Sequence, residues 1–181
     1  MITKNVKVIN SYAFYGCTTL SSIDYQSTVL TSIGNYAFYN CTSNRNIQVP
    51  DSVKSIGSYA FYSNYSTDAS SLNLPSNLTS LGTYTYQNCY NLKNLSIPSS
   101  LTSIGDYVFA GCRNLSSISD YRLTAQTVGA NTFGNTTGTG INTYTGCSTR
   151  GNNKLSVYVA ATGYDKSYWN DPLQNPDNCG F

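Results

Sequence analysis

The sequence predicts an α/β solenoid: a right-handed coil of about six stacked units of 23–25 residues, with a parallel sheet on one face and short helical or 3-10 turns on the other. Three observations predict it. An aromatic triplet recurs as Tyr12-Ala13-Phe14, Tyr36-Ala37-Phe38, Tyr59-Ala60-Phe61, Tyr84-Thr85-Tyr86 and Tyr107-Val108-Phe109, with a worn copy ending at Phe133, and the third residues step by 24, 23, 25, 23 and 24. Apolar pairs three apart move in the same register: Val6/Ile9, Leu30/Ile33, Val53/Ile56, Leu78/Leu81, Leu101/Ile104 and Ala125/Val128. Later in each unit comes an alternating run such as Leu92 to Ile97, with Leu95 and Ile97 on one side and Asn94 and Ser96 on the other, as a strand requires.

The remaining positions of the unit follow in order. Gly34, Gly57, Gly82, Gly105 and Gly129 follow the apolar pair, and Asn10 takes that place in the first unit. Gly and Asn tolerate positive φ, so a left-handed turn is expected there. Pro50, Pro75 and Pro98 stand just after the strand run and end it, because proline donates nothing to a sheet ladder. A single unit cannot bury its apolar side, whereas stacked units bury an aromatic and several aliphatics each, at about 1.5–3 kcal/mol per large side chain. Two departures are expected to loosen packing locally: Asn64 where a Cys belongs, and Asn44 in place of a strand Leu.

The pattern from Pro98 to Ile118, read as P-x-x-(L/V)-x-x-I-G-x-Y-A-F-x-G-C-x-x-L-x-x-I, resembles the BspA-type leucine-rich repeat, also called the Treponema pallidum type. Residues 2 to 125 carry the likeness in five good units. The resemblance implies a leucine-rich-repeat solenoid, and a bacterial or protist surface protein that binds host matrix proteins or other cells. The chain then reads as one domain: a repeat array over 1–133, an insertion loop over 134–153 and a C-terminal cap over 154–181. The first residues lack the apolar core of a secretory signal, so either the chain is not exported or it is an excised piece, and an array that begins inside a unit supports a fragment.

Composition narrows the chemistry. The chain has 181 residues, 10% of them charged, and a formal net charge of +2, with no basic run to follow a phosphate backbone, so nucleic acid is not an expected partner. No stretch is long and apolar enough for a transmembrane segment. The absence of His and Glu removes the usual general acids and bases, and no Ser-His or Cys-His pairing is available. Asp165 and Asp171 flank Tyr168 and Trp169, which read as cap anchors rather than the frame of a glycosidase pair. The expectation is a protein that is not an enzyme and takes no cofactor. Cys17, Cys41, Cys89 and Cys112 each follow the repeat aromatic by three residues, the place of a small buried hydrophobe; a metal site is the competing reading, which the missing C-x-x-C spacing disfavours.

Function is left to surfaces. The outward strand positions Ser22/Asp24, Asn46/Gln48, Ser71/Asn73, Asn94/Ser96 and Ser117/Ser119 form a small, polar candidate face for a protein or glycan ligand. The alternative is a tyrosine stripe of Tyr12/Tyr15, Tyr36/Tyr39 and Tyr59/Tyr62, continued by Tyr84 and Tyr107, which either grips a ligand or covers the solenoid by mutual packing. A module that binds protein or glycan in adhesion competes with a spacer segment that has no ligand. Six triplets, among them Asn94-Leu95-Ser96, fit the N-glycosylation pattern and read as a product of a composition in which Ser, Thr and Asn supply about a third of the residues.

Cys147 and Cys179 lie outside the cysteine column, and a disulfide between them would close the C-terminal end over a loop of about 30 residues, with roughly 3–4 kcal/mol of stabilisation. Such a bond persists only in an oxidising setting. The alternative is that both thiols are free; alkylation of the native protein without reductant, followed by peptide mass mapping, decides, since four modified cysteines and a linked Cys147–Cys179 peptide establish the bridge and six modified cysteines exclude it.

Overall fold

The computed structural model describes residues 1–44, 47–64, 70–115, 117–120, 127–128, 132 and 143–146. In four units one strand is made by the S-(I/L)-G segment, where a half-exposed Ser alternates with a buried Ile or Leu, and Val8–Ile9 and Thr127–Val128 take the same place in the first and last units. These strands are β1 (Val8–Ile9), β2 (Ser32–Ile33), β3 (Ser55–Ile56), β5 (Ser80–Leu81), β7 (Ser103–Ile104) and β9 (Thr127–Val128). They pair in parallel into one six-stranded sheet in that order, each residue opposite its counterpart one unit on. The alternating runs make a second parallel sheet, β4 (Ser71–Asn73), β6 (Asn94–Ile97), β8 (Ser117–Asp120) and β10 (Thr143–Gly146). Residues 143–146, inside the segment expected to be an insertion, are thus a strand in register with β8; the rest of 134–153, and all of 154–181, lie outside the described residues.

Between the sheets lies one continuous core. Leu30, Val53, Leu78 and Leu101 form one column, Ile33, Ile56, Leu81 and Ile104 a second, and Phe38, Phe61, Tyr86 and Phe109 a third, all buried. The inner rings stack nearly parallel at 5.0, 5.1, 5.2 and 5.8 Å from Phe14 to Phe109.

The turn carrying the aromatic triplet is not helical, and no helix occurs among the described residues. Tyr12, Tyr36, Tyr59, Tyr84 and Tyr107 sit at φ of 56–63°, and the residue four further on is again left-handed: Gly16, Asn40, Ser63, Asn88 and Gly111. The hydrogen bonds explain this conformation. Ala13, Tyr15 and Cys17 donate back three residues, to Asn10, Tyr12 and Phe14, as in a 3-10 turn. The residues between them turn their N–H groups along the array instead: Tyr12 donates to Asn35 (3.0 Å), Phe14 to Ala37 (2.7 Å) and Gly16 to Tyr39 (2.8 Å). A true helix would point every donor along its own axis and leave none for the neighbouring unit. Each left-handed tyrosine costs about 1–2 kcal/mol, which its inter-unit hydrogen bond and ring stacking offset.

The left-handed turn therefore lies two residues beyond the glycine where it was expected. Glycine serves close approach instead. A Cβ on Gly105 would stand 2.6 Å from the Thr83 nitrogen of the preceding unit, and Gly34, Gly57 and Gly82 press in the same way on Ser11, Asn35 and Ser58. Asn10 is exposed, with no earlier unit of this chain packed on it. Gly82→Ala should accordingly cost about 1–3 kcal/mol in urea unfolding, as overpacking against backbone does. Asn10→Ala, at the equivalent position, should stay within about 0.5 kcal/mol of the parent; equal effects at the two sites would contradict the packing account.

Candidate binding surface

The two strand faces differ in how their polar side chains are used. On the second sheet Leu72, Leu95 and Ile118 point into the core, while Ser71, Asn73 and Asn94 are exposed and Ser96, Ser117 and Ser119 half-exposed. The structure thus brings these six predicted residues together in two adjacent columns, cross-linked where the Asn94 amide donates to Ser71 Oγ (3.1 Å). Gln48 is not part of a strand. Its side chain lies along the edge of β4, donating from Nε2 to the Ser71 carbonyl (2.6 Å) and accepting from the Asn73 N–H at Oε1 (3.2 Å). One amide takes the bonds a further strand would make, so the sheet stops there. Ser22 and Asp24 are exposed beside a single bridge between Ile2 and Tyr25, with the Asp24 carboxylate bonded to Gln26, away from the second sheet's columns. Asn46, Cys147 and Cys179 lie outside the described residues.

The first sheet carries a surface that the sequence reading passed over. Ser32, Ser55, Ser80 and Ser103 stand in one half-exposed column, and none of their hydroxyls has a hydrogen-bond partner among the described residues. An open groove runs along this column, walled by Ser11, Asn35 and Ser58 and floored by Gly34, Gly57 and Gly82. The wall residues hold the units in register: Ser11 Oγ accepts from the Asn35 N–H (3.1 Å), Asn35 Oδ1 from Ser58 (2.8 Å) and Ser58 Oγ from Thr83 (3.2 Å). The signal was present in the sequence as a Ser in each S-(I/L)-G segment, a position where core packing asks for no particular side chain.

The tyrosines form two outer columns. Tyr12, Tyr36, Tyr59, Tyr84 and Tyr107 stack at 4.7–5.0 Å, and Tyr15, Tyr39 and Tyr62 at 4.8–4.9 Å. Rings of the two columns meet at 48–54°. From Tyr36 to Tyr62 every ring is therefore partly buried by others and turns an edge outward, and only Tyr12 and Tyr15 are more than half exposed, at 58% and 51%.

The cysteine column is a set of donors. The Cys41 thiol donates to the Phe14 carbonyl (3.1 Å), Cys89 to Phe61 (3.6 Å) and Cys112 to Tyr86 (3.3 Å), each reaching the unit before. Asn64 does the same with its amide, donating to Phe38 at 2.9 Å, and its oxygen accepts from Asn44 (3.3 Å). The two departures expected to loosen the array thus satisfy each other in the core, where Asn44 is 0% and Asn64 1% exposed. Burial raises the Cys41 thiol from 9.0 to about 11 and the Cys112 thiol well above its ordinary value. The Tyr86 hydroxyl, in a column otherwise made of Phe, is buried without a partner, and burial raises its pKa as well. Among the described residues no group of His, Cys, Asp or Glu is arranged to hold a metal ion, and no helix is long and apolar enough to cross a membrane.

Residues 1–69 match the family model described as "BspA type Leucine rich repeat region (6 copies)". Over these residues the sequence is similar to BspA-type leucine-rich repeats. The crystal structure of a leucine rich repeat protein of T. pallidum is 23% identical, with a TM-score of 0.58 over 73% of this chain and 71% of that one, a likeness of fold. A crystal structure described as a leucine rich cell surface protein from Faecalibacterium prausnitzii A2-165 is 30% identical, with a TM-score of 0.67 over 80% of this chain. The match spans only 38% of the Faecalibacterium chain. No curated protein matches the sequence.

Two buried thiols of the array, Cys41 and Cys112, give a pH dependence. A thiol whose folded pKa is raised contributes its full stability below its unfolded value and loses it as pH climbs through the folded one. For Cys41 that window runs from 9.0 to about 11, and Cys112 and Tyr86 act with the same sign. The thermal midpoint should stay level from pH 7 to 9 and fall above it, with Cys41 alone responsible for about 2–3 kcal/mol at the top of the window. A midpoint unchanged up to pH 11 would mean that the thiols are solvated in the native state.

Proposed function

We propose that the chain is a non-enzymatic module of a bacterial cell surface that binds an extended protein or glycan ligand along the strand side of the array. One observation carries this reading. The Ser32, Ser55 and Ser80 hydroxyls line an open groove at one-unit spacing with no hydrogen-bond partner among the described residues, whereas the tyrosine rings use their faces on one another. Each hydroxyl is able to donate and accept, so a ligand with a repeating polar edge meets the same pair of functions at every turn. The polar columns of the second sheet, Ser71/Asn94/Ser117 and Asn73/Ser96/Ser119, are the other candidate contact. The surface setting is supported by the likeness to a protein described as a leucine rich cell surface protein.

A glycan array and a panel of matrix proteins, probed with the whole chain, supply the test. Ser55→Arg with Ser80→Arg should abolish binding by bulk and charge while the protein stays folded, because both side chains point away from the core. Tyr36→Ala with Tyr39→Ala should instead lower the thermal midpoint, by disrupting both outer columns, and leave the affinity of the folded protein within about twofold. Binding that survives the arginines but is lost with Asn94→Arg moves the site to the second sheet. A parent chain that binds nothing on either panel favours a spacer without a ligand.

A further inference from the structure

The outer columns set phenol on phenol. Tyr36 stacks on Tyr59 and Tyr39 on Tyr62, each pair with ring centres 4.8 Å apart and planes within 6° of parallel. These rings project from equivalent positions of successive units, so the carbons beside each hydroxyl lie over their counterparts at about the same separation. The oxygen ends are close as well: burial raises the pKa of Tyr59 first, and the neighbouring phenols of Tyr84, Tyr36, Tyr62 and Tyr39 raise it further. In the core the arrangement is different. Tyr86 is fully buried and stacks on Phe61 at 5.2 Å and on Phe109 at 5.8 Å, two rings without a hydroxyl.

Access follows the same division. Tyr36, Tyr39, Tyr59 and Tyr62 are half-exposed. The thiols of Cys41, Cys89 and Cys112 are buried, and a buried protonated thiol is a poor site for oxidation; among the described cysteines only Cys17 is accessible in part. An oxidant arriving at the turn side of units two and three therefore meets phenols.

We propose that the outer tyrosine columns are a site of oxidative modification, at which phenols of successive units couple to dityrosine, Tyr36 with Tyr59 and Tyr39 with Tyr62, and staple one unit to the next. The co-reactant is hydrogen peroxide acting through a haem peroxidase. One electron and one proton leave each of two phenols, and the peroxide is reduced to two waters. The two phenoxyl radicals join through one carbon–carbon bond ortho to their oxygens, and the hydrogen on each joined carbon then moves to its oxygen, which restores both phenols. Stacking favours this outcome because a phenol returning an electron and a proton to its neighbour moves the radical one ring along the column, so that two radicals meet within one molecule. The rings swing edge to edge to bond, a motion open to side chains that face solvent. The backbones keep their register, held where Tyr36 donates to Ser58 (2.9 Å) and Tyr59 to Thr83 (3.0 Å). The site does not rest on the ligand-binding reading of the strand groove.

The test treats the whole folded chain with a haem peroxidase and hydrogen peroxide and digests the monomer with trypsin. Tyr36 and Tyr39 lie on the tryptic peptide 8–45, and Tyr59 and Tyr62 on 55–93. Dityrosine fluorescence is expected, with a species that joins these two peptides and is lighter than their sum by two hydrogens. The stapled monomer should also unfold at higher urea than the untreated chain, because each bond closes a loop in the unfolded state. Tyr59→Phe with Tyr62→Phe removes the phenols and keeps the rings, and should abolish the linked species in a protein that still folds, since phenylalanine stacks at the same spacing in the inner column. A photochemical one-electron oxidant, ruthenium tris-bipyridyl with persulfate, repeats the reaction without an enzyme's limits of access. The proposal is overturned by coupling that gives only dimers of the chain, by a linked peptide that survives the double phenylalanine variant, by equal yields from folded and urea-unfolded protein, or by no linked peptide with either oxidant.

Discussion

The structure depends on one distance, the separation of successive backbones that share inter-unit hydrogen bonds. Parallel strands set it at about 4.8 Å, and the aromatic turns are forced to the same value because they too bond from unit to unit. The spacing then selects side chains. Rings that repeat at that interval stack face to face, as the outer tyrosines do at 4.7–5.0 Å. A Cβ after the buried Ile or Leu does not fit between backbones so close, which leaves glycine. Left-handed tyrosines, unfavourable in isolation, follow from the same demand, since only an alternating conformation turns every second N–H along the array.

A solenoid of this kind must also satisfy polar groups inside its core, and it does so with small donors. A thiol placed three residues after the aromatic reaches a carbonyl of the previous unit while still packing as a hydrophobe. Asn64 shows that the position requires a donor rather than sulfur, because its amide makes the same bond at 2.9 Å. Thr85, where other units have Ala or Val, is tolerated for the same reason, its hydroxyl donating to the Gly82 carbonyl at 2.7 Å. Tyr86 in the next position is not compensated in this way.

Much of this architecture was legible in the chain. Period, apolar columns, strand termination at proline and the inward alternation of Leu72, Leu95 and Ile118 follow from spacing alone, since each is a statement about which side chains share a face. What could not be read depends on contacts between units. Asn44 and Asn64 look like two independent defects in sequence and are one hydrogen-bonded pair across 20 residues. Gln48 reads as an outward strand residue and is the plug at a sheet edge. The glycine column was recognised and its cause misassigned, because a residue type that answers to both positive φ and close approach does not say which is at work. The aromatic turn, expected as helical or 3-10, takes the tighter form, with bonds back three residues at Ala13, Tyr15 and Cys17, because spacings of three fit a helix and a series of tight turns equally.

The division of labour between faces follows from the same constraint. Where side chains fill the gap between units, as rings, thiols and core amides do, their identity is fixed by stacking, and changing them alters stability before it alters recognition. Where the gap is already filled by backbone, as in the glycine-floored groove, the side chains beside it are released from packing. Ser32, Ser55 and Ser80 are in that position, and their hydroxyls have no partner among the described residues. The surface proposed for recognition is thus the one on which stacking between units makes no demand.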